Sequence, residues 1–409
     1  MITTLFQLME APAYKSESGE FLDIYSCGDG DSEILVTGTT QTEFSAYLSE
    51  LTESGYELWS DNSFDGCCFA EYRKNGHSLH IAYTPQNQAA RLVFGDIPTV
   101  EPLCVEPISD LCVEPQLTMM TIRMGLSIVI RTEDGGFIIL DGGYRSEEDM
   151  IELRRYLYDQ NPHGGKPIIH AWMISHTHVD HMLLATDFLD RFHDDIDLRA
   201  TVFNFTDFSL PMGYDNPASE KVRVDRYLNL LETHFPNRRH YRCHTGEVMH
   251  FPGLEIRTVN THEENYPNPL DHFNQASCAW KLTFASGKTV MLLGDTWRAA
   301  CKQMSEVFSA KFLKCDILQV THHGLYGGNL ELYQKIDPDV CLWATPKENF
   351  IGQRTTPKEP DYTKVDQPCV GYDAAGNPVA AYNRWLRDES VRVRTHYCYD
   401  GSHTVLSMK

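Results

Sequence analysis

The rhythm of hydrophobic and polar positions changes near residue 117, and the two stretches predict different units. In the first, an apolar run at 32–38 reads as a strand. Phe44, Tyr47, Leu48 and Leu51 then recur at helical spacing, with Thr42 as N-cap and Gly55 as the stop. Strand-like runs follow at 56–60, 67–73, 79–83 and 91–94, and Asn75-Gly76 between the second and third is a tight hairpin signal. Residues 1–98 therefore predict a small α+β accessory domain, in which His77 and His80 read as a turn and a strand residue. The pentapeptide Leu-Cys-Val-Glu-Pro occurs at 103–107 and again at 111–115. Two copies are too few for a solenoid, and their prolines predict an extended linker over 99–116.

From 117 the pattern becomes strand, strand, strand, helix, strand. Runs at 119–124, 127–131 and 137–140 are followed by a helix carrying Ile151, Leu153, Tyr156 and Leu157, then by a buried strand at 168–174. Gly135-Gly136 turns the chain between the second and third runs. Further strands are expected near 200–205, 254–259, 278–284, 289–293, 316–320, 340–344, 391–398 and 403–408, several separated by helical patterns. Strands interspersed with helices predict a layered α/β sandwich, and no second linker divides 117–409.

Composition adds boundaries. Hydrophobic residues make up 42% and charged residues 22% of the 409 positions, as in an ordinary soluble globular chain. No apolar run approaches the roughly 20 residues that span a bilayer, and the N-terminus carries no signal-peptide pattern, so a cytoplasmic, membrane-free protein is expected. The 12 cysteines are scattered without a CxxC pair and are expected to be reduced. A net charge of -22, from 35 basic and 57 acidic residues, repels long polyanions. Extended nucleic acid is thereby disfavoured as a partner. A small molecule or short anion remains compatible, because metal ions or a local positive pocket can attract one.

The chemistry concentrates in Ser175-His176-Thr177-His178-Val179-Asp180-His181, between the apolar strand and a helix expected at 182–192. Four metal-binding side chains in six residues have no ready structural explanation. Imidazoles with a carboxylate suit zinc first, with manganese or iron as alternatives. His176 and His178 would share one metal, and Asp180 and His181 would face a second.

This HxHxDH stretch resembles the signature of the metallo-β-lactamase superfamily, and the resemblance extends over 117–409. It implies a four-layer αββα sandwich with a two-metal site at one edge. Ile138-Ile139-Leu140-Asp141-Gly142-Gly143 resembles the first motif, whose Asp141 would support the metal loop. Met291-Leu292-Leu293-Gly294-Asp295 resembles the fourth, whose Asp295 would bridge the metals. Thr321-His322-His323-Gly324 resembles the fifth; His322 is the expected ligand, with His323 beside substrate or behind the ligands. The third motif leaves three readings open: His262 after the strand at 254–259, His272 before the strand at 278–284, or no histidine.

Asn274-Gln275-Ala276-Ser277, followed by the Leu-Leu-Gly-Asp and Thr-His-His-Gly stretches, is similar to the soluble hydrolase domain of the ComEC competence-protein type. Many members of that type have glycine where this chain continues Met182-Leu183-Leu184-Ala185. The resemblance implies a hydrolase in which two metals about 3.5–4 Å apart activate a hydroxide, positioned by Asp180 and Asp295, for attack on a phosphodiester. His323, Tyr326 and the Gly327-Gly328 backbone would stabilise the charge that develops, with Arg298, His396 and His403 as further pocket candidates. The same site would also serve lactone, thioester or amide hydrolysis. A di-iron redox protein and an inactive binding module are the readings from other classes.

Overall fold

The computed structural model describes residues 2–96, 104–270, 272–325, 327–348, 371–372, 378–379, 383 and 385–409. The N-terminal unit is one antiparallel sheet with a helix on its face. In spatial order the sheet runs Glu20–Phe21, Asp31–Thr37, Ala89–Asp96, His77–Thr84, Cys68–Lys74 and Glu57–Asp61, with Tyr25–Gly28 paired to Asp31–Thr37. The helix Gln41–Glu53 lays Phe44, Tyr47 and Leu51 against Ile34, Val36, Leu79, Ile81 and Leu92. Its cap is Thr40, two residues before the Thr42 expected from the sequence. Thr40 Oγ1 accepts the Glu43 N–H at 3.2 Å while the Glu43 carboxylate accepts the Thr40 N–H at 2.8 Å, a reciprocal pair that Thr42 could not form with this register. The Asn75-Gly76 turn joins Lys74 to its partner His77, with both turn residues at positive φ (50° and 90°).

Two mixed sheets form the larger unit. The first runs Arg239–Tyr241, Ala200–Val202, Ile168–Met173, Phe137–Asp141, Ser127–Arg131, Gln116–Met119 and Thr404–Ser407. The second runs Val248–Phe251, Leu254–Asn260, Ala279–Phe284, Thr289–Leu292, Ile317–Gln319, Val340–Pro346 and Thr395–Tyr399. Their inner faces share one core, in which Ile128, Ile130 and Met173 join Ile256, Trp280, Leu292 and Leu342. Helices Glu147–Gln160, Val179–Phe192 and Pro217–His234 cover the outside of the first sheet through Leu153, Leu157, Phe188 and Tyr227. Helices Arg298–Val307 and Leu330–Ile336 cover the outside of the second against Met291, Leu318 and Trp343. The result is an αββα sandwich. The strand expected over 119–124 lies at Gln116–Met119 instead, because the chain turns at Gly125 (φ 96°) to pass under Asp180. A side chain there would collide with the Asp180 carbonyl.

The N-terminal sheet packs on the same outer layer, with Phe69 and Ala82 in the core that holds Cys301 and Trp343. The seam also contains buried charges. Arg91 pairs with Glu33 and, at 3.1 Å, with Glu264, and donates to the Glu263 and Tyr266 carbonyls at 2.9 Å. Removing one partner of such a set strands the others out of water. Arg91→Ala should therefore lower unfolding free energy by about 3–5 kcal/mol in urea titrations; a change below about 1 kcal/mol would show that the seam carries little stability.

All described cysteines are free thiols. No described helix is long and apolar enough to cross a membrane.

Candidate metal centre

Four loops leave the carboxyl ends of two parallel strand pairs and meet at one edge of the sandwich. Phe137–Asp141 runs parallel to Ile168–Met173 in the first sheet, and Thr289–Leu292 parallel to Ile317–Gln319 in the second. Such an edge is where open α/β sheets gather ligands. Backbone bonds lock the loops together: Cys278 N–H donates to Ser175 O (2.9 Å), Gly142 N–H to His181 O (2.8 Å) and His322 N–H to Gly294 O (3.1 Å). The helix Val179–Phe192 comes close because Gly142 faces Ala185 and leaves no room for a side chain. The small residue at this crossing is thus supplied by the loop as well as by the helix.

Three histidines of the centre each have one ring nitrogen engaged and the other presented. The Ser175 hydroxyl donates to Asp141 Oδ2 at 2.7 Å and so accepts from His176 Nδ1 at 3.0 Å. His181 Nδ1 donates to Asp141 Oδ2 at 2.8 Å, and His323 Nδ1 donates to the Ala344 carbonyl at 3.1 Å. His176, His181 and His323 are left with Nε2 buried and without a hydrogen-bond partner. This is how metal histidines are held, with the outer nitrogen setting the tautomer. Asp141 thus supports two histidines at once.

The presented atoms converge. Asp295 Oδ2 lies 3.1 Å from His181 Nε2 and 3.3 Å from His323 Nε2, which is itself 3.3 Å from Asp180 Oδ2. Four ligands at zinc distances of about 2.0–2.1 Å in a tetrahedron stand about 3.3 Å apart. These separations fit a common cation. Asp180, His181, Asp295 and His323 form one of two described groups whose donor atoms could hold a metal ion. Asp295 Oδ1 is also buried and unpartnered, as is His176 Nε2. An orphaned buried polar atom costs about 1–3 kcal/mol, so several gathered in one place mark a site built for a cation.

The electrostatics agree. Burial alone would depress the His181 pKa, but Asp295 and Asp141 outweigh it and raise it well above the ordinary value. Burial acts the same way on His323, and Asp295 and Asp180 push it up to about 10. Burial holds His176 well below the ordinary value, with His181 and His178 adding to the effect. The carboxylates of Asp180 and Asp295 dominate the field here, and a divalent ion would replace the protons that they otherwise draw onto the histidines.

The structure places the other expected residues unevenly. His178 stands beside His176, with ring centroids 4.8 Å apart. His323, rather than the expected His322, joins the group with Asp180, His181 and Asp295. Both sit at positive φ (50° and 56°) in one tight turn, which carries His323 onto Asp180 and leaves His322 Nε2 3.9 Å from Asp295, next to Asn274 Nδ2 at 3.3 Å. His262 takes no part in the donor groups found among the described residues. After the strand Leu254–Asn260 the chain enters a short turn toward the N-terminal unit, and His262 Nε2 meets Asn204 Oδ1 at 3.0 Å. His272, the second third-motif candidate, does reach the centre: its ring is 4.9 Å from that of His178. His403 is occupied elsewhere by Thr121 and Glu152, and His396 by Trp343. Tyr326 lies outside the described residues. Two residues at the centre escaped the sequence reading. Asn274 was legible only as part of a family pattern, and Asp215 stands next to Asn216, the cap of Pro217–His234, so it reads as a helix start.

Fold and site together form an αββα sandwich with a His/Asp cluster at one sheet edge, the arrangement that the HxHxDH resemblance implies. No family model matches the chain, and no curated protein matches it. Among solved structures, CmlA, a diiron β-hydroxylase from Streptomyces venezuelae, is similar at 13% identity and TM-score 0.40, covering 72% of this chain and 55% of that one. The chain thus spans about half the length of that protein. The metallo-β-lactamase fold protein YhfI from Bacillus subtilis is similar at 11% identity and TM-score 0.39, covering 72% of this chain and 99% of that one. A long-form RNase Z from yeast is similar at 12% identity and TM-score 0.36, covering 72% and 41%. Likeness at this level decides nothing about chemistry; the donor geometry does.

Proposed function

We propose that the chain is a metal-dependent hydrolase with a two-metal centre, acting as a phosphodiesterase on a small or modest-sized substrate. One observation carries the reading: Asp295 presents Oδ2 to the group of Asp180, His181 and His323 while its buried Oδ1 stays unpartnered, as does His176 Nε2. The first group has four protein donors. The other side has His176, His178 and Asp295, which leaves a position open, as catalytic sites require. Bound metals would acidify a water toward neutral pH and polarise the bond to be cleaved.

The chain's own residues do the rest. Asp180 and Asp295 would offer carboxylate oxygens to the ions, each Oδ2 lying 3.3 Å from His323 Nε2. His322, 13% exposed and tied to Asn274, stands at the rim where it can donate to a developing anion or leaving group. The ComEC-type resemblance supports the phosphodiester version, because its residues lie at the centre: Ser277 Oγ accepts the Asp295 N–H at 3.3 Å, and Asn274 contacts His322. The net charge of -22 supports a short substrate over a long polyanion.

The test is a panel of bis-p-nitrophenyl phosphate, a lactone and a thioester, each with zinc or manganese and with chelator. Phosphodiester turnover that chelation abolishes is expected. Faster lactone or thioester turnover, with the phosphodiester untouched, would move the function to the acyl class.

A further inference from the structure

His178 differs from the other three histidines of the centre in which nitrogen is engaged. His176, His181 and His323 are anchored through Nδ1. His178 is anchored through Nε2, which lies 3.2 Å from Asp215 Oδ2. That oxygen also accepts the Phe273 N–H at 2.6 Å and lies 3.4 Å from His272 Nδ1. One carboxylate therefore ties three elements: the metal loop, the turn Phe273–Ala276, and the start of the helix Pro217–His234.

Building on the two-metal reading, we propose that Asp215 is the positioning residue of the first metal. Its carboxylate accepts a hydrogen bond from His178 Nε2–H, so that ring would present Nδ1 to the ion, beside Nε2 of His176. It does for His178 what Asp141 does for His181, whose Nδ1 is held so that Nε2 faces Asp295. The chemical class is a carboxylate–histidine–metal arrangement, with a divalent cation as the ligand.

Two further observations separate positioning from direct ligation. Asp215 Oδ2 is already engaged by a short backbone hydrogen bond from Phe273 and by His178. His272 Nδ1 is likewise engaged, accepting the Asn274 N–H at 3.3 Å, and its ring is stacked on Trp297 with centroids 4.5 Å apart. Asp215 Oδ2 and His272 Nδ1 thus already hold the turn in place. The group His178, Asp215 and His272, whose donors lie within reach of one another, is in this account the outer wall of the first site rather than a third site.

The experiment is a zinc and cobalt titration of the full-length metal-free chain, followed by calorimetry and by the cobalt absorption spectrum. The wild type, Asp215→Ala and Asp215→Asn would be compared, with thermal unfolding of each metal-free form as the folding control. The wild type should bind two ions. In Asp215→Ala one of the two should bind about 10–100-fold more weakly, with the other unchanged and the cobalt spectrum of the weakened site altered. Asp215→Asn can still accept the Phe273 N–H, so it should fold like the wild type yet show the same one-sided weakening in smaller measure. Two unchanged affinities in both variants would overturn the inference. So would complete loss of one ion in both, even at millimolar metal, because that identifies Asp215 as a ligand. A wild type that binds no metal would instead overturn the two-metal reading on which the inference rests.

Discussion

Asp295→Ala, loaded with excess zinc and desalted, should carry at most one metal ion per chain where the wild type carries two. Hydrolysis should fall at least about 10³-fold, or about 4 kcal/mol of transition-state stabilisation. The reason is that Asp295 is the only described carboxylate that offers one oxygen to His181 and His323 while keeping its second oxygen buried and unpartnered. Its loss also leaves His181 with Asp141 alone to balance it. The Asp295 N–H and the Leu-Leu-Gly strand end remain bonded to Ser277 and Gln319, so the fold should survive. Elemental analysis beside a circular-dichroism spectrum checks both halves. Two ions retained in a folded Asp295→Ala protein would contradict the bridging role.

The second large effect is a contrast between neighbours. His323→Ala should lose one metal and about 10²–10³-fold in turnover, because it removes a donor placed 3.3 Å from both Asp180 and Asp295. His322→Ala should keep both metals and lose about 10–100-fold, mostly in turnover rather than in apparent affinity, because its ring stands at the rim beside Asn274. Were His322→Ala the variant that lost metal, the assignment of the two residues would revert to the one expected from sequence alone.

The placement of these two neighbours shows where sequence reasoning stops. His176, His178, Asp180 and His181 were legible because four ligand types crowd into six residues after an apolar strand, and local spacing alone brings them together. Asp141 and Asp295 were legible only through the resemblance of their motifs to the family's first and fourth, because a single carboxylate after an apolar strand also suits a turn or a helix cap. The choice between His322 and His323 depends on two consecutive residues at positive φ, a conformation that side-chain identity does not announce. His262, from its place after a strand, was one of three open readings for the third motif. Its direction is set by Asn204 and by the buried seam with the N-terminal sheet, both distant in sequence. Asp215 is the extreme case, since its partners His178 and Phe273 are 37 and 58 residues away. The hairpin at Asn75-Gly76 was readable from local turn chemistry, and the repeated strand and helix periods gave a layered α/β sandwich; the αββα order of its layers came only from the family resemblance.

The central claim is that one carboxylate, Asp295, joins two metal sites of unequal closure. Anomalous diffraction from zinc-loaded crystals, recorded on both sides of the zinc edge, tests it most directly. Two peaks about 3.5–4 Å apart are predicted. One should lie against Asp180 Oδ2, His181 Nε2 and His323 Nε2, the other against His176 Nε2 and His178 Nδ1, with Asp295 between them. A single peak, or two peaks with none at Asp295, would contradict it.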